Sequence, residues 1–364
     1  MRFWDLPGPA AFLEGVREQL AWGKTVVVGL PAIAPPAIAS VLREYLLRES
    51  WSALPVLRAT ADPMEGLASQ LGLQLRGPRQ RDVAVLFEEL LDGEVLIVDE
   101  VTQEILPRWR EFLAAFESAS RAVPGMGRPY LVCLLRGFDA ASYPRPAPAL
   151  SLQTWDGVVN ELDMLAYAGS RVRSMDLSGY SGLLFASTVC KLALWDADLA
   201  EHLLSIPARE IFEPEPFLRA YAQERGWTSL TKPSWQDGSS AMIDGHRRVH
   251  SALLAVTGGT GELAMRVWSS QAAQLLPLVE LHRRQIVSTV RHKLVMPVQV
   301  GEEKITDPYQ LEVGTLAYIA KPRGFDRKIV SRLYKLRDLR NKLAHLEVVA
   351  AEEAFDPELG ELGQ

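Results

Sequence analysis

The feature that most constrains this chain is the alternation, over its first ~140 residues, of short β-branched apolar runs with amphipathic helical stretches. That alternation is the pattern of a parallel sheet covered by helices. Three runs stand out as strands. Thr25-Val26-Val27-Val28 leads into a Gly/Pro loop and a helix from Ala37 to Leu47. Val95-Leu96-Ile97-Val98 ends at Asp99-Glu100, and Tyr130 to Leu135 ends at Arg136-Gly137. Between the last two, Phe112, Leu113 and Phe116 fall at helical spacing within a helix from Trp109 to Ser120.

The stretch from Asp139 to Pro148 is dense in small residues and prolines and reads as a linker at which the sheet stops. From Trp155 to about Trp227 the pattern is of short helices, interrupted at Pro207 and at Glu213-Pro214-Glu215-Pro216. After the loop Lys232 to Gly238 the chain turns helical again near 241–256, 262–294, 309–320 and 326–346, which predicts a four-helix bundle. The expected organisation is therefore α/β plus all-α. It comprises a parallel-sheet domain over 1–138, a linker and mostly helical middle over 139–238, and a helical domain over 239–364.

Composition supports a folded chain, since 48% hydrophobic content over 364 residues can bury more than one core. A net charge of −6 and a pI near 5.7 exclude global attraction to nucleic acid, so any RNA-facing role needs a local basic patch. Cys133 and Cys190 each sit among apolar neighbours and read as buried thiols of a reducing compartment. The N-terminus carries no signal pattern, and no apolar run reaches the ~18 residues of a membrane span. A cytoplasmic protein without membrane partners is expected.

Strand, Gly-containing loop, helix and a later strand ending in Asp99-Glu100 together resemble the core of P-loop NTPases, particularly the AAA+ and signal-transducing (STAND) ATPases. The resemblance implies that Asp99 holds a magnesium-water cluster and Glu100 positions the attacking water. The loop departs from the family. A phosphate cradle needs Gly-x-x-x-x-Gly-Lys-Ser/Thr, whereas this one reads Gly29-Leu30-Pro31-Ala32-Ile33-Ala34-Pro35-Pro36-Ala37. It lacks the Lys and the hydroxyl, and each of its three prolines removes an amide donor. A degenerate P-loop-like domain without ATP hydrolysis or bound cofactor is expected. A different α/β fold remains an alternative, with Asp99 and Glu100 capping a helix or facing solvent.

Near the C-terminus, Leu336-Arg337-Asp338-Leu339-Arg340-Asn341-Lys342-Leu343-Ala344-His345 fits the Arg-Asn-x-x-x-His signature and resembles HEPN-type ribonuclease and toxin domains. Ile329, Leu333, Leu336 and Leu343 give the helix its apolar stripe. Arg340 and His345 are five residues apart, about 140° around a helix, so a shared phosphate requires a cleft such as a two-fold interface. The resemblance implies a metal-independent endoribonuclease of a bacterial defence or conflict system, paired as a homodimer or hetero-oligomer through the bundle. In that chemistry the RNA 2′-hydroxyl attacks the adjacent phosphate, His345 acts as general acid or base and Arg340 stabilises charge. Asn341, four residues before His345, is placed to orient the imidazole. The products would carry 2′,3′-cyclic phosphate and 5′-hydroxyl ends.

Ten cations, Arg327, Lys328, Arg332, Lys335, Arg337 and Lys342 with Arg283, Arg284, Arg291 and Lys293, form either an RNA track or an ordinary solvated face. The alternative function is a non-catalytic assembly subunit whose two parts both serve protein contacts. His246 and His250, four apart on an expected helix, lack further ligands for zinc. Gly179-Tyr180-Ser181-Gly182 falls short of a nucleophile elbow. No metal site is expected.

Overall fold

The computed structural model describes residues 2–35, 37–73, 82–90, 93–123, 128–175, 177 and 179–361. Pro36, one of the three loop prolines, lies outside them. The chain forms two compact units. One comprises Met1–Asp163, Trp195–Ala197 and Lys232–His250; the other comprises Met164–Leu194, Asp198–Thr231 and Ser251–Gln364. Among the described residues, no helix is long and apolar enough to cross a membrane.

The first unit is α/β. The strands of its main sheet are β1 (Thr25–Leu30), β2 (Ser52–Ala53), β3 (Leu57–Arg58), β4 (Glu94–Val101), β5 (Tyr130–Arg136) and β6 (Leu150–Thr154). Its helices are α1 (Pro7–Ala21), α2 (Ile38–Arg48), α3 (Pro63–Leu71), α4 (Ala84–Glu89) and α5 (Leu106–Ala122). The sheet order is β2-β4-β5-β1-β6, with β3 also beside β4, and every pairing is parallel. β1 is buried along its whole length, as parallel strands covered on both faces are. Trp109, Leu113 and Phe116 of α5 are fully buried in the same core as Leu96, Val98, Leu131 and Cys133. The connection from β5 to β6 passes β1, so the strand order reverses there. The crevice outside the carboxyl ends at such a reversal is where open α/β sheets bind ligands.

Two expectations need correction here. The sheet does not stop at the proline-rich stretch: β6 pairs with β1 in the register Thr25↔Leu150 to Gly29↔Thr154, and Trp155 N–H continues the ladder to the Gly29 carbonyl at 3.0 Å. As an edge strand its Leu-Ser-Leu-Gln-Thr sequence carries polar residues that a central strand would not. Residues 241–249 are not helical either. β7 (Ser240–Ile243) and β8 (His246–Val249) form an antiparallel hairpin around Asp244-Gly245, whose φ values of 48° and 79° are those of a primed turn. His246 and His250 therefore share no helix face. His250 is buried, with Nε2 3.2 Å from Asp196 Oδ2.

The second unit is mostly helical: α6 (Glu161–Val172), α7 (Gly179–Ala193), α8 (Ala197–Ser205), α9 (Glu215–Glu224), α10 (Ser251–Thr257), α11 (Thr260–Val290), α12 (Val313–Ala320), α13 (Arg327–Ala344) and α14 (Ala351–Ala354). A hairpin of β9 (Val298–Val300) and β10 (Glu303–Ile305) separates α11 from α12. α11 packs against α7 and α13, and Thr188 Oγ1 lies 2.8 Å from Ser270 Oγ where α7 meets α11. α13 is capped by Asp326, whose carboxylate accepts from Lys328 N–H, and buries Leu333, Leu336, Leu339 and Leu343.

Candidate functional site

The two sets of residues singled out in the sequence belong to different units. In the first unit, Asp99 and Glu100 stand at the carboxyl end of β4 beside Arg136, the last residue of β5. Between Val98↔Cys133 and Val101↔Leu135 the register shifts by one residue. Glu100 adopts a left-handed φ of 64° within that bulge, which turns consecutive carboxylates in different directions. Arg136 donates to both Asp99 oxygens, Nε to Oδ1 at 2.8 Å and Nη2 to Oδ2 at 2.7 Å, and Asp99 is only 14% exposed. Glu100 instead meets Arg58 at 2.6 Å in the open. The carboxylate matching the magnesium residue thus has a fixed internal cation as its partner.

The loop after β1 is equally committed. Ala32 N–H donates to the Gln236 carbonyl at 2.7 Å, and Gly137 N–H donates to the Leu30 carbonyl at 2.9 Å. Pro31 and Pro35 offer no N–H. Gly238, at φ 78°, approaches so closely that a Cβ there would lie 3.4 Å from Ile33 Cβ. Tyr143 is buried over Gly29, where an added Cβ would come within 2.9 Å of its Cζ. Burial raises the Tyr143 phenol above its ordinary value, and its hydroxyl donates to the Phe138 carbonyl at 3.2 Å. Burial raises the Cys133 thiol in the same way, with the nearby Asp99 charge adding to it, so that thiol is unreactive. The loop after β1 is thus packed under Tyr143 and Gly238 and tied to Gln236 by its Ala32 N–H.

In the second unit, α13 ends at Ala344, and His345 is its C-cap residue at φ −96°, ψ 15°. His345 N–H donates to the carbonyls of Asn341 at 3.0 Å and Lys342 at 3.1 Å. Its imidazole is exposed and has no hydrogen-bond partner among the described residues. Arg340 is half exposed, 3.6 Å from Glu312, and its Nη1 lies 3.5 Å from Asn341 Oδ1. The Asn341 side chain therefore turns toward Arg340, not toward the imidazole that it was expected to orient. Trp268 Nε1–H donates to the Leu343 carbonyl at 2.8 Å and holds this end of α13 on α11.

Sequence reasoning missed two polar anchors behind the motif. Buried Gln271 grips Val349 from both sides, Nε2–H to its carbonyl and Oε1 from its N–H, each at 2.8 Å. Buried His282 lies with Nε2 2.9 Å from the Leu359 carbonyl and Nδ1 2.7 Å from Arg332 Nη2. Arginine has no acceptor, so Nδ1 accepts and the ring is neutral. Burial and then the Arg332 charge lower its pKa. Only the helical spacing of Gln271 and His282 with Leu275 and Val279 hinted at burial.

Of the ten cations, Arg283, Lys335, Arg337 and Lys342 form ion pairs, while Arg332 and Lys293 donate to backbone carbonyls. Arg284 lies over the Tyr309 ring. Arg291, Arg327 and Lys328 are exposed without such partners among the described residues.

No protein-family model matches the chain, and no curated protein matches it. It is similar to a chain in the structure of Drosophila ORC bound to DNA, at 11% identity over 97% of this chain and 71% of that one, with a TM-score of 0.32. It is also similar to a chain of Drosophila ORC bound to poly(dA/dT) DNA, at 12% identity over 98% and 69%, with a TM-score of 0.29. Scores of this size assign neither fold nor function.

Proposed function

We propose that the helical unit is HEPN-like and cleaves RNA without a metal when two copies of Arg340, Asn341 and His345 face one another, and that the first unit is a P-loop-like module that does not hydrolyse nucleotide. The observation that carries this reading is the exposed imidazole of His345 at the end of α13, without a hydrogen-bond partner among the described residues, one turn from an Arg340 held by a surface carboxylate at 3.6 Å and a 3.5 Å contact with Asn341. Exposed pairs of that kind contribute about 0–1 kcal/mol and yield readily to a phosphate. In the reaction, one His345 takes the 2′-hydroxyl proton while the attack on phosphorus forms the cyclic phosphate. A second acid, the facing His345, protonates the departing 5′-oxygen, and Arg340 stabilises the added charge.

The commitment of six of the ten cations to internal partners favours a second reading, a non-catalytic assembly subunit. The two separate on incubation of the full-length protein with total RNA in EDTA. Cyclic-phosphate-ended fragments that disappear in His345→Ala support cleavage. Intact RNA from a protein that dimerises in solution supports assembly alone.

A further inference from the structure

The chain that follows His345 differs sharply in charge from α13. From Leu346 to Glu361 it holds six acidic residues and no Lys or Arg, whereas α13 holds seven cations and only Asp338 as an acid. This acidic strap returns along α13. Lys335 Nζ meets Asp356 at 3.0 Å and Glu358 at 2.9 Å, which raises its pKa, with Glu358 the larger cause. Lys342 Nζ meets both oxygens of Glu353 at 2.6 and 2.8 Å, and Arg332 Nη2 donates to the Glu358 and Glu361 carbonyls at 3.0 Å. Arg332, Lys335 and Lys342 lie three and seven residues apart, on one face, and the last of them adjoins Asn341.

The strap is fixed by contacts other than these carboxylates: Val349 by Gln271, Leu359 by His282, and Phe355 stacked on Phe212 at 5.2 Å. Between the anchors it does not close onto the helix. A cavity of about 420 Å³ remains, lined by Leu336 and Leu339 with Lys335, Lys342, Glu353 and Asp356 at its margin. The carboxylates therefore meet the cations as largely exposed side chains, at 36–57% side-chain exposure for all but Asp356. Charge pairs of this kind exchange partners at little cost.

We propose that the face formed by Lys335 and Lys342 is an RNA-backbone surface whose phosphate positions are occupied by Glu353, Asp356 and Glu358 of the chain's own strap, with Arg332 holding the strap backbone beside it. This deepens the cleavage reading and rests on it: the surface leads a strand along α13 to His345, and the strap carboxylates hold it shut against weak ligands. An RNA strand displaces the carboxylates and leaves the anchored backbone in place.

The test is fluorescence anisotropy of full-length protein with a labelled single-stranded RNA of about 20 nucleotides, longer than one such face tracks. All proteins carry His345→Ala to keep the RNA intact. Adding E353Q, D356N and E358Q is expected to tighten binding at least ~5-fold at low salt. It should also steepen the log Kd against log salt slope by about 1.4, two phosphate contacts at ~0.7 each. Adding K335A and K342A should abolish the gain. An unchanged Kd, or a gain that survives K335A and K342A, overturns the proposal. Should the triple variant fail to fold, E353Q alone is expected to gain about twofold, lost in K342A; no gain overturns the proposal equally. Tighter binding by the triple variant with His345 intact but no cleavage leaves this surface standing and removes the nuclease reading. Cleavage by wild type with no gain in binding does the reverse.

Discussion

Asp99 and Arg136 close a two-pronged ion pair across the carboxyl ends of neighbouring strands, Nε to Oδ1 at 2.8 Å and Nη2 to Oδ2 at 2.7 Å. The guanidinium is the partner of the carboxylate to which the P-loop resemblance assigns a hydrated magnesium ion. The pair is largely shielded, at 14% and 26% side-chain exposure. Arg136→Ala strands a carboxylate there and is expected to destabilise the first unit by about 2–4 kcal/mol. Urea unfolding measures it, and the double variant with Asp99→Asn should recover part of the loss. Equal stability of Arg136→Ala and wild type would remove this pair as a structural element.

Nucleotide binding follows from the same geometry. With Ala32 N–H committed to Gln236 and Tyr143 over Gly29, millimolar ATP with magnesium should leave the thermal midpoint within about 1 °C. A rise of several degrees would show that the loop opens to take phosphate.

Gln271 anchors the chain beyond the motif. Gln271→Ala removes two hydrogen bonds and leaves the N–H and C=O of fully buried Val349 unpaired, for an expected loss of about 2–4 kcal/mol. Hydrogen exchange of the Val349 amide should accelerate in step. Slow exchange in the variant would mean that the strap is held by its apolar contacts.

His282 gives the second unit an acid sensitivity. Its pKa is lowered in the folded state, so the unfolded chain takes up a proton first as pH falls below about 6.5. Its contribution is complete above that value and declines through the window down to the lowered folded value. The protonated ring would point an N–H at Arg332. The urea midpoint should fall between pH 7.5 and 5, and His282→Gln should flatten that part of the fall. Identical pH profiles in the two proteins would contradict the neutral assignment.

The sequence made β1, β4 and β5 legible because central parallel strands are continuous apolar runs. β6 was not, since an edge strand tolerates Ser151, Gln153 and Thr154 and follows prolines that suggested a boundary. The β7–β8 hairpin was obscured because the four-residue spacing of His246 and His250 imitates a helix, although Asp244-Gly245 carries the turn signal. The helix expected over 326–346 is present as Arg327–Ala344, which carries Arg340 and Asn341 but leaves His345 just beyond it as the C-cap residue. Arg136 was visible only as the end of a strand, since nothing local names Asp99, 37 residues earlier, as its partner. The contacts of the strap with α13 were invisible for the same reason.

The hydrogen bond from Ala32 to Gln236 also sets a schedule. The first unit draws one of its pieces from Lys232–His250, so on a ribosome the Ala32 N–H stays without its Gln236 partner until most of the chain has emerged. A fragment ending at Asp163 would lack the Gln236 carbonyl and the Gly238 approach permanently, with Ala32 N–H left to water.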